Sequence, residues 1–208
     1  MRLITKVFNF IILTCNKYKI DDSHGLSHSM NVLNFAHDIY KNELVNYPFI
    51  KDHRKVIYMS SALHDMCDKK YMNEKDGIND IKSYFKDDIS KKELNAIEDI
   101  ITTMSYSKVK INGFPDLQEY NIPYHIVREA DLLAAYDFDR TIIYQIYNSE
   151  DDILNSFDDA VDLFHNRVFK HNDHNLFYTN YSKNKSKELY YNSIDRMKNW
   201  NEIINENF

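Results

Sequence analysis

Apolar residues recur at intervals of three and four through most of the chain, and this spacing predicts helices throughout. Ile4, Phe8, Ile11 and Ile12 mark the core side of a first, amphipathic helix. Asp21, Asp22 and Ser23 offer N-cap side chains for a second helix over about 24–42, with Val32, Phe35, Ala36 and Ile39 as its stripe. Pro48 punctuates the loop that follows. A third helix is expected over about 52–68 and a short one over about 77–85. Ser90, with Glu93 three residues on, makes a capping box for a helix reaching Met104. The stretch 107–123 holds Gly113, Pro115 and Pro123 and is expected to be the longest loop. Helices over about 124–147, 151–170 and 186–205 complete the pattern, the last packing back through Leu189, Ile194, Met197 and Trp200.

Composition sharpens this into an all-α, single-domain helical bundle. Only three Gly and three Pro occur in 208 residues, too few for a sandwich or barrel that turns every ten residues or so. Hydrophobic residues make up 43% of the chain, enough for one core. That core is expected over about 20–150, with C-terminal helices from 151 to 208 packed on it. A formal charge of −6 argues against a dedicated nucleic-acid binder. The Lys183–Lys187 stretch reads as a solvated turn. Cys15 and Cys67 form no disulfide framework, so reduced thiols and a cytoplasmic location are expected. The AT-rich coding bias implied by abundant Asn, Lys, Ile and Tyr would make that the host cytoplasm if the chain is viral. Lys6 and Asn9 interrupt the apolar N-terminal run, and no small-residue cleavage site follows, so a secretion signal is not expected. No stretch approaches the roughly 20 apolar residues of a membrane span.

Four ionisable residues fall on faces that the pattern assigns to the core. His64 follows Val56 and Ile57 by two helical turns, and Asp65 sits beside it between Ala62 and Met66. Asp131 lies among small apolar residues, four after Val127, and His28 stands one turn before Val32. Each alone has a plain explanation: a hydrogen-bonded core histidine, or an aspartate that caps a helix or pairs with Arg128. Together, two imidazoles and two carboxylates from three helices make a mixed nitrogen and oxygen site suited to Mn²⁺, Fe²⁺, Co²⁺ or Mg²⁺. Without a cysteine in the set, zinc is less favoured. His37 lies nine residues after His28, half a turn round the helix, so His37-Asp38 is expected at the surface.

His28, the His64-Asp65 dipeptide and Asp131 resemble the H…HD…D signature of the HD-domain superfamily of metal-dependent phosphohydrolases. The blocks SHGLSHSMNV, ALHDMCDKKY, IEDIITTMSYS and IVREADLLAAYD resemble, in order and separation, those of its small bacterial-type hydrolases. DLFHNRVFK and the last helix resemble that group more weakly. The resemblance covers about residues 20–205. It implies one divalent metal ion, Mn²⁺ first, held by His28, His64, Asp65 and Asp131. It also implies hydrolysis of a small phosphorylated substrate, a nucleotide by preference. Asp65 and Asp68 are the implied catalytic carboxylates, with Asp68 handling a proton. Lys70 would hold phosphate, Lys69 would face solvent, and His24 would contact substrate or support a ligand. The chain departs from the pattern after the metal aspartate, where close members carry Arg-Leu-Asp and this chain has Leu132-Leu133-Ala134, so that the Arg and the third Asp are missing.

The implied mechanism is attack of a metal-activated water in line on phosphorus, with Lys70 compensating the equatorial oxygens. His125 is expected near the mouth of the site, and Tyr71, Tyr106 and Tyr136 as platforms for a base. Two alternatives stay open. A cyclic-nucleotide or oligonucleotide phosphodiesterase with two metals would need further ligands, and no obvious set appears between Asp65 and Asp131. A helical interaction module that has lost activity would keep the fold alone. Nothing in the pattern fixes the oligomeric state.

Overall fold

The computed structural model of the chain describes residues 1–149 and 152–206. Among these, every regular element is helical: α1 Leu3–Tyr18, α2 Leu26–Glu43, α3 Arg54–Leu63, α4 Glu74–Phe85, α5 Lys91–Thr103, α6 Tyr106–Asn112, α7 Asn121–Ala134, α8 Phe138–Ser149, α9 Ile153–Asn166 and α10 Asn180–Asn205. One-turn 3-10 helices stand at Pro48–Lys51, Gln118–Tyr120 and Val168–Lys170. No helix among the described residues is long and apolar enough to cross a membrane.

The centre of the bundle is the mutual packing of α2, α3 and α7, with α5 laid on α3. Val32, Ala36 and Ile39 of α2, Ile57 and Leu63 of α3, and Ile126, Val127 and Ala130 of α7 are buried there. The predicted stripe of α2 thus faces inward, and Phe35 is half-buried at its edge. Ser90 and Glu93 form the expected capping box at the start of α5.

Elsewhere the structure departs from the sequence expectations. The buried stripe of α1 is Val7, Phe10, Ile11 and Thr14, while Ile4 and Ile12 are 40% and 44% exposed. Phe10 sets this phase, because its ring packs 5.5 Å from that of the fully buried Phe85. No side chain caps α2; Asp21 instead accepts from the Ser23 N–H at 2.8 Å, one residue before His24. The expected loop over 107–123 is mostly helical. Ser105 caps α6 by accepting from the Lys108 N–H, and Gly113, at φ 71, ends it. Pro123 sits in the first turn of α7, where a missing N–H leaves no intrahelical bond unmade. The helix expected over 124–147 is two helices, because Asp137 accepts from the Arg140 N–H at 3.2 Å and starts α8 afresh. Thr179 caps α10 six residues earlier than expected. The inward face of α10 is Ser182, Ser186, Ser193 and Met197, with Leu189, Ile194 and Trp200 only half-buried.

α3 ends at Leu63, short of the expected 68, and the chain tightens into three-residue turns. The Met66 N–H donates to the Leu63 carbonyl at 2.9 Å, and the Asp68 N–H to that of Asp65 at 3.2 Å. α4 closes down on this turn at Gly77. A Cβ there would lie 2.6 Å from Cys67 Cβ, 2.7 Å from Cys67 Cα and 2.8 Å from Met72 Sδ. Gly77→Ala would gain about 1 kcal/mol of helix propensity, but the backbone of Cys67 cannot yield as a flexible side chain would. Overpacking of this kind costs about 1–3 kcal/mol. The net cost of about 0–2 kcal/mol predicts a melting temperature lowered by up to roughly 8 °C, read by circular dichroism; a rise would contradict this account of the turn.

Candidate metal centre

Each of the three central helices delivers part of one cluster. His28 stands in the first turn of α2, His64 caps the C-terminal end of α3 with Asp65 next to it, and Asp131 lies in the last turn of α7. His28 Nε2 and His64 Nε2 are 3.2 Å apart. Asp65 Oδ2 lies 3.3 Å from His28 Nε2 and 3.2 Å from His64 Nε2. Asp131 Oδ1 lies 3.4 Å from each. His28, His64 and Asp65 are buried, while Asp131 keeps 31% of its side chain open to the cleft above.

His28, His64 and Asp65 offer ligand atoms that all lie within 4.8 Å of one another and fit a single cation, and Asp131 adds an oxygen 3.4 Å from each imidazole. An ion bonded at roughly 2.0–2.2 Å holds neighbouring donors about 3.0–3.4 Å apart, the spacing seen here. His64 Nδ1 donates to the Ser61 carbonyl at 2.9 Å, which orients the ring and leaves Nε2 facing the cluster. Asp65 Oδ2 is buried without a hydrogen-bond partner among the described residues, a lone pair that only a proton or a cation can satisfy. The competing role of Asp131 as partner to Arg128 is not the one adopted. Arg128 turns to Glu129, at 3.3 Å, and to the Leu176 carbonyl. Glu129 accepts in turn from Thr179 Oγ1 at 2.7 Å, so α7 also anchors the segment before α10.

The cluster forms part of the lining of a cleft of about 590 Å³. Asp68, Lys70 and His24 all line it. Asp68 is half-buried, and Oδ1 accepts the Lys70 N–H at 2.8 Å. His24 is engaged on both sides, with Nδ1 2.7 Å from Ser23 Oγ and Nε2 accepting from Lys70 Nζ at 3.4 Å. Asp21 anchors the arrangement through hydrogen bonds from Ser23 Oγ and the Tyr71 hydroxyl. His24 therefore positions Lys70, whose ammonium also lies 4.6 Å from the centre of the Tyr144 ring. Lys69 is exposed.

Other expectations are corrected. His125 does not line the cleft; it stacks on Tyr178 at 4.5 Å. Tyr71 is committed to Asp21, and Tyr136 lies outside the lining, so of the three tyrosines only Tyr106 lines the cleft. His37 is exposed and bonded to the Tyr58 hydroxyl at 2.5 Å, as its helical phase predicts. Sequence reasoning missed Arg140, Arg167, Tyr144 and His171, which all line the cleft. Arg140 donates to the Ser23 carbonyl at 3.0 Å, and its buried Nε has no partner among the described residues. It brings from α8 a guanidinium that the segment 132–134 lacks. The weaker resemblance around DLFHNRVFK was the one signal pointing toward Arg167 and His171.

The electrostatics follow from burial and the two carboxylates. Burial, aided by Arg140, pushes the His28 imidazole down to about 4, so it is neutral at physiological pH. Burial would push His64 down as well, but Asp65 and Asp131 outweigh it and hold it well above its ordinary value. The same pairing overrides burial at Asp65 and Asp131 and keeps both below the usual carboxylate range. Without metal, stability from His64 is full below its unfolded pKa of about 6.5 and is lost as pH rises through the raised folded value. Stability from the aspartates is present above about 3.9 and is lost as pH falls through their lowered values. A cation must expel the His64 proton. Mn²⁺ affinity should therefore rise up to tenfold per pH unit from about pH 6 to 8, with about one proton released per ion. Titration calorimetry in buffers of different ionisation heat measures both quantities, and a pH-independent affinity would contradict the assignment.

No family model and no curated protein matches this chain. A crystal structure of a Lactobacillus plantarum protein, determined as a Northeast Structural Genomics target, is similar to it with a TM-score of 0.66 at 18% identity. The similarity covers 95% of this chain and 96% of that one. At that identity the likeness shows a shared fold over the matched part of the chain.

Proposed function

We propose that the chain is a metal-dependent phosphohydrolase that cleaves a phosphate ester or anhydride, with a nucleotide as the preferred substrate class. The observation that carries this reading is that carboxylate oxygens of Asp65 and Asp131 lie 3.2–3.4 Å from the paired Nε2 atoms of His28 and His64, beside a cleft lined with cationic side chains. A divalent ion held by these four residues, Mn²⁺ first, would supply a Lewis acid that polarises a phosphoryl oxygen and acidifies water.

The remaining work falls to the chain's own side chains. Lys70 and Arg140 bring positive charge to the cleft, where phosphoryl oxygens gather negative charge on the way to the transition state. Arg140 Nε, buried and without a partner among the described residues, leaves a donor that an anionic oxygen would satisfy. Asp68, held by the Lys70 N–H through Oδ1, has its other oxygen to take a proton from water or give one to a leaving group. Neutral His24, its pKa lowered by burial, fixes Lys70 and adds no charge of its own.

Purified protein supplied with Mn²⁺ is expected to release phosphate or pyrophosphate from members of a nucleotide panel. His64→Ala should lower kcat/KM by at least about 100-fold and cost the bound ion. Lys70→Ala should act mainly by raising KM, roughly tenfold. A folded wild-type protein that binds no ion and turns over nothing in the panel would favour a helical interaction module instead. Two bound ions per chain, with cleavage of phosphodiesters, would favour a phosphodiesterase.

A further inference from the structure

The cleft has a second polar group that the phosphate chemistry does not use. His171 follows the 3-10 turn Val168–Lys170 and is only 1% exposed, yet it lines the cleft. Neither ring nitrogen has a hydrogen-bond partner among the described residues. Its neighbours are aromatic: Tyr106 at 5.8 Å between ring centres, Tyr136 edge-on at 5.9 Å and Phe177 at 6.3 Å. The segment that carries it is tied down. The Leu176 N–H donates to the His171 carbonyl at 3.1 Å, and Glu129 of α7 holds Thr179. A buried polar group left unpaired is costly, so a fixed imidazole with two idle nitrogens is out of place unless a ligand completes it.

The chemistry of that ligand follows from the surroundings. Burial and Arg167 push the His171 imidazole down to about 3, so the ring offers one donor and one acceptor and no charge. That suits an uncharged polar edge rather than a phosphate. Tyr106 and Arg167 also line the cleft beside it, with the guanidinium 4.8 Å from the centre of the Tyr106 ring. Lys70, Arg140, His24 and Tyr144 form a separate contact group on the same cleft. At about 590 Å³ the cleft lies within the range that holds a small-molecule ligand, with room for more than a phosphoryl group.

We propose that His171 is a specificity-determining residue that hydrogen-bonds the heteroaromatic base of a nucleotide substrate, with Tyr106 as the adjoining aromatic wall. This deepens the phosphohydrolase reading and rests on it for the position of the phosphates.

The test compares ligands with and without a base. ATP, GTP, CTP and UTP, and inorganic tripolyphosphate as the base-free control, are titrated calorimetrically into metal-free protein in EDTA. Wild type is expected to bind at least one nucleotide ten times or more tighter than tripolyphosphate. His171→Phe should erase that preference while leaving tripolyphosphate affinity within twofold and Mn²⁺ stoichiometry unchanged. His171→Asn, which keeps a donor and an acceptor, should retain much of the preference. Equal wild-type affinity for nucleotides and tripolyphosphate overturns the proposal, as does a preference that survives in His171→Phe. Should His171→Phe fail to fold by circular dichroism, Tyr106→Leu and the wild-type comparison decide in the same way. Nucleotide preference without Mn²⁺-supported turnover would sink the phosphohydrolase reading but keep the base site; turnover with no preference for a base would do the reverse.

Discussion

Two imidazole nitrogens 3.2 Å apart, flanked by two carboxylates and buried among close-packed helices, are a constraint that the fold must resolve. Lone pairs and negative charges at such separations repel unless something positive sits among them. In the metal-free protein a proton on His64 would supply that charge, and Asp65 and Asp131 raise the basicity of its imidazole. In the proposed metal-bound state a divalent cation would take the place of that proton. Much of the architecture serves to keep the four side chains in place. α2, α3 and α7 pack on one another at the cluster, and α3 stops at Leu63 so that His64 and Asp65 meet at one point. The bare Cα of Gly77 lets α4 brace the turn that follows.

The same helix that carries Asp131 also ties down the far wall of the cleft. Arg128 and Glu129 are buried and spend their hydrogen bonds on Leu176, Tyr178 and Thr179 rather than on the cluster. α7 thus couples the ligand set to the segment bearing His171. Across the cleft lining, two contact groups stand apart, and Arg167 lies beside Tyr106 in the second. Lys70 and Arg140 gather with His24 and Tyr144, while His171 sits among Tyr106, Tyr136 and Phe177. A substrate that is anionic at one end and a neutral polar ring at the other would match that division.

The helical class and the inward placement of His28, His64, Asp65 and Asp131 were legible in the sequence because both depend on local periodicity. An apolar stripe gives the inward face, and a charged residue on it is an anomaly visible without coordinates. The Ser90–Glu93 box was legible for the same reason, since its partners lie three residues apart. What escaped depended on partners distant in sequence. The phase of α1 is set by Phe10 packing against Phe85, and the spacing of Ile4, Phe8, Ile11 and Ile12 carries no sign of that partner. The 107–123 stretch reads as loop from its Gly and Pro content, yet Ser105 and the tolerance of Pro123 in a first turn make it helical. Arg140 and His171 reach the cleft through contacts with Ser23 and Tyr106, far off in the sequence, which no spacing rule reports.

The central claim is that one ion joins four side chains from three helices. The most direct measurement is anomalous diffraction at the manganese edge from crystals grown with Mn²⁺. One peak is predicted, roughly 2.0–2.3 Å from His28 Nε2, His64 Nε2 and one carboxylate oxygen each of Asp65 and Asp131. A peak held elsewhere, by Asp68 and Glu74 for example, or an empty cluster at saturating Mn²⁺, would contradict the account.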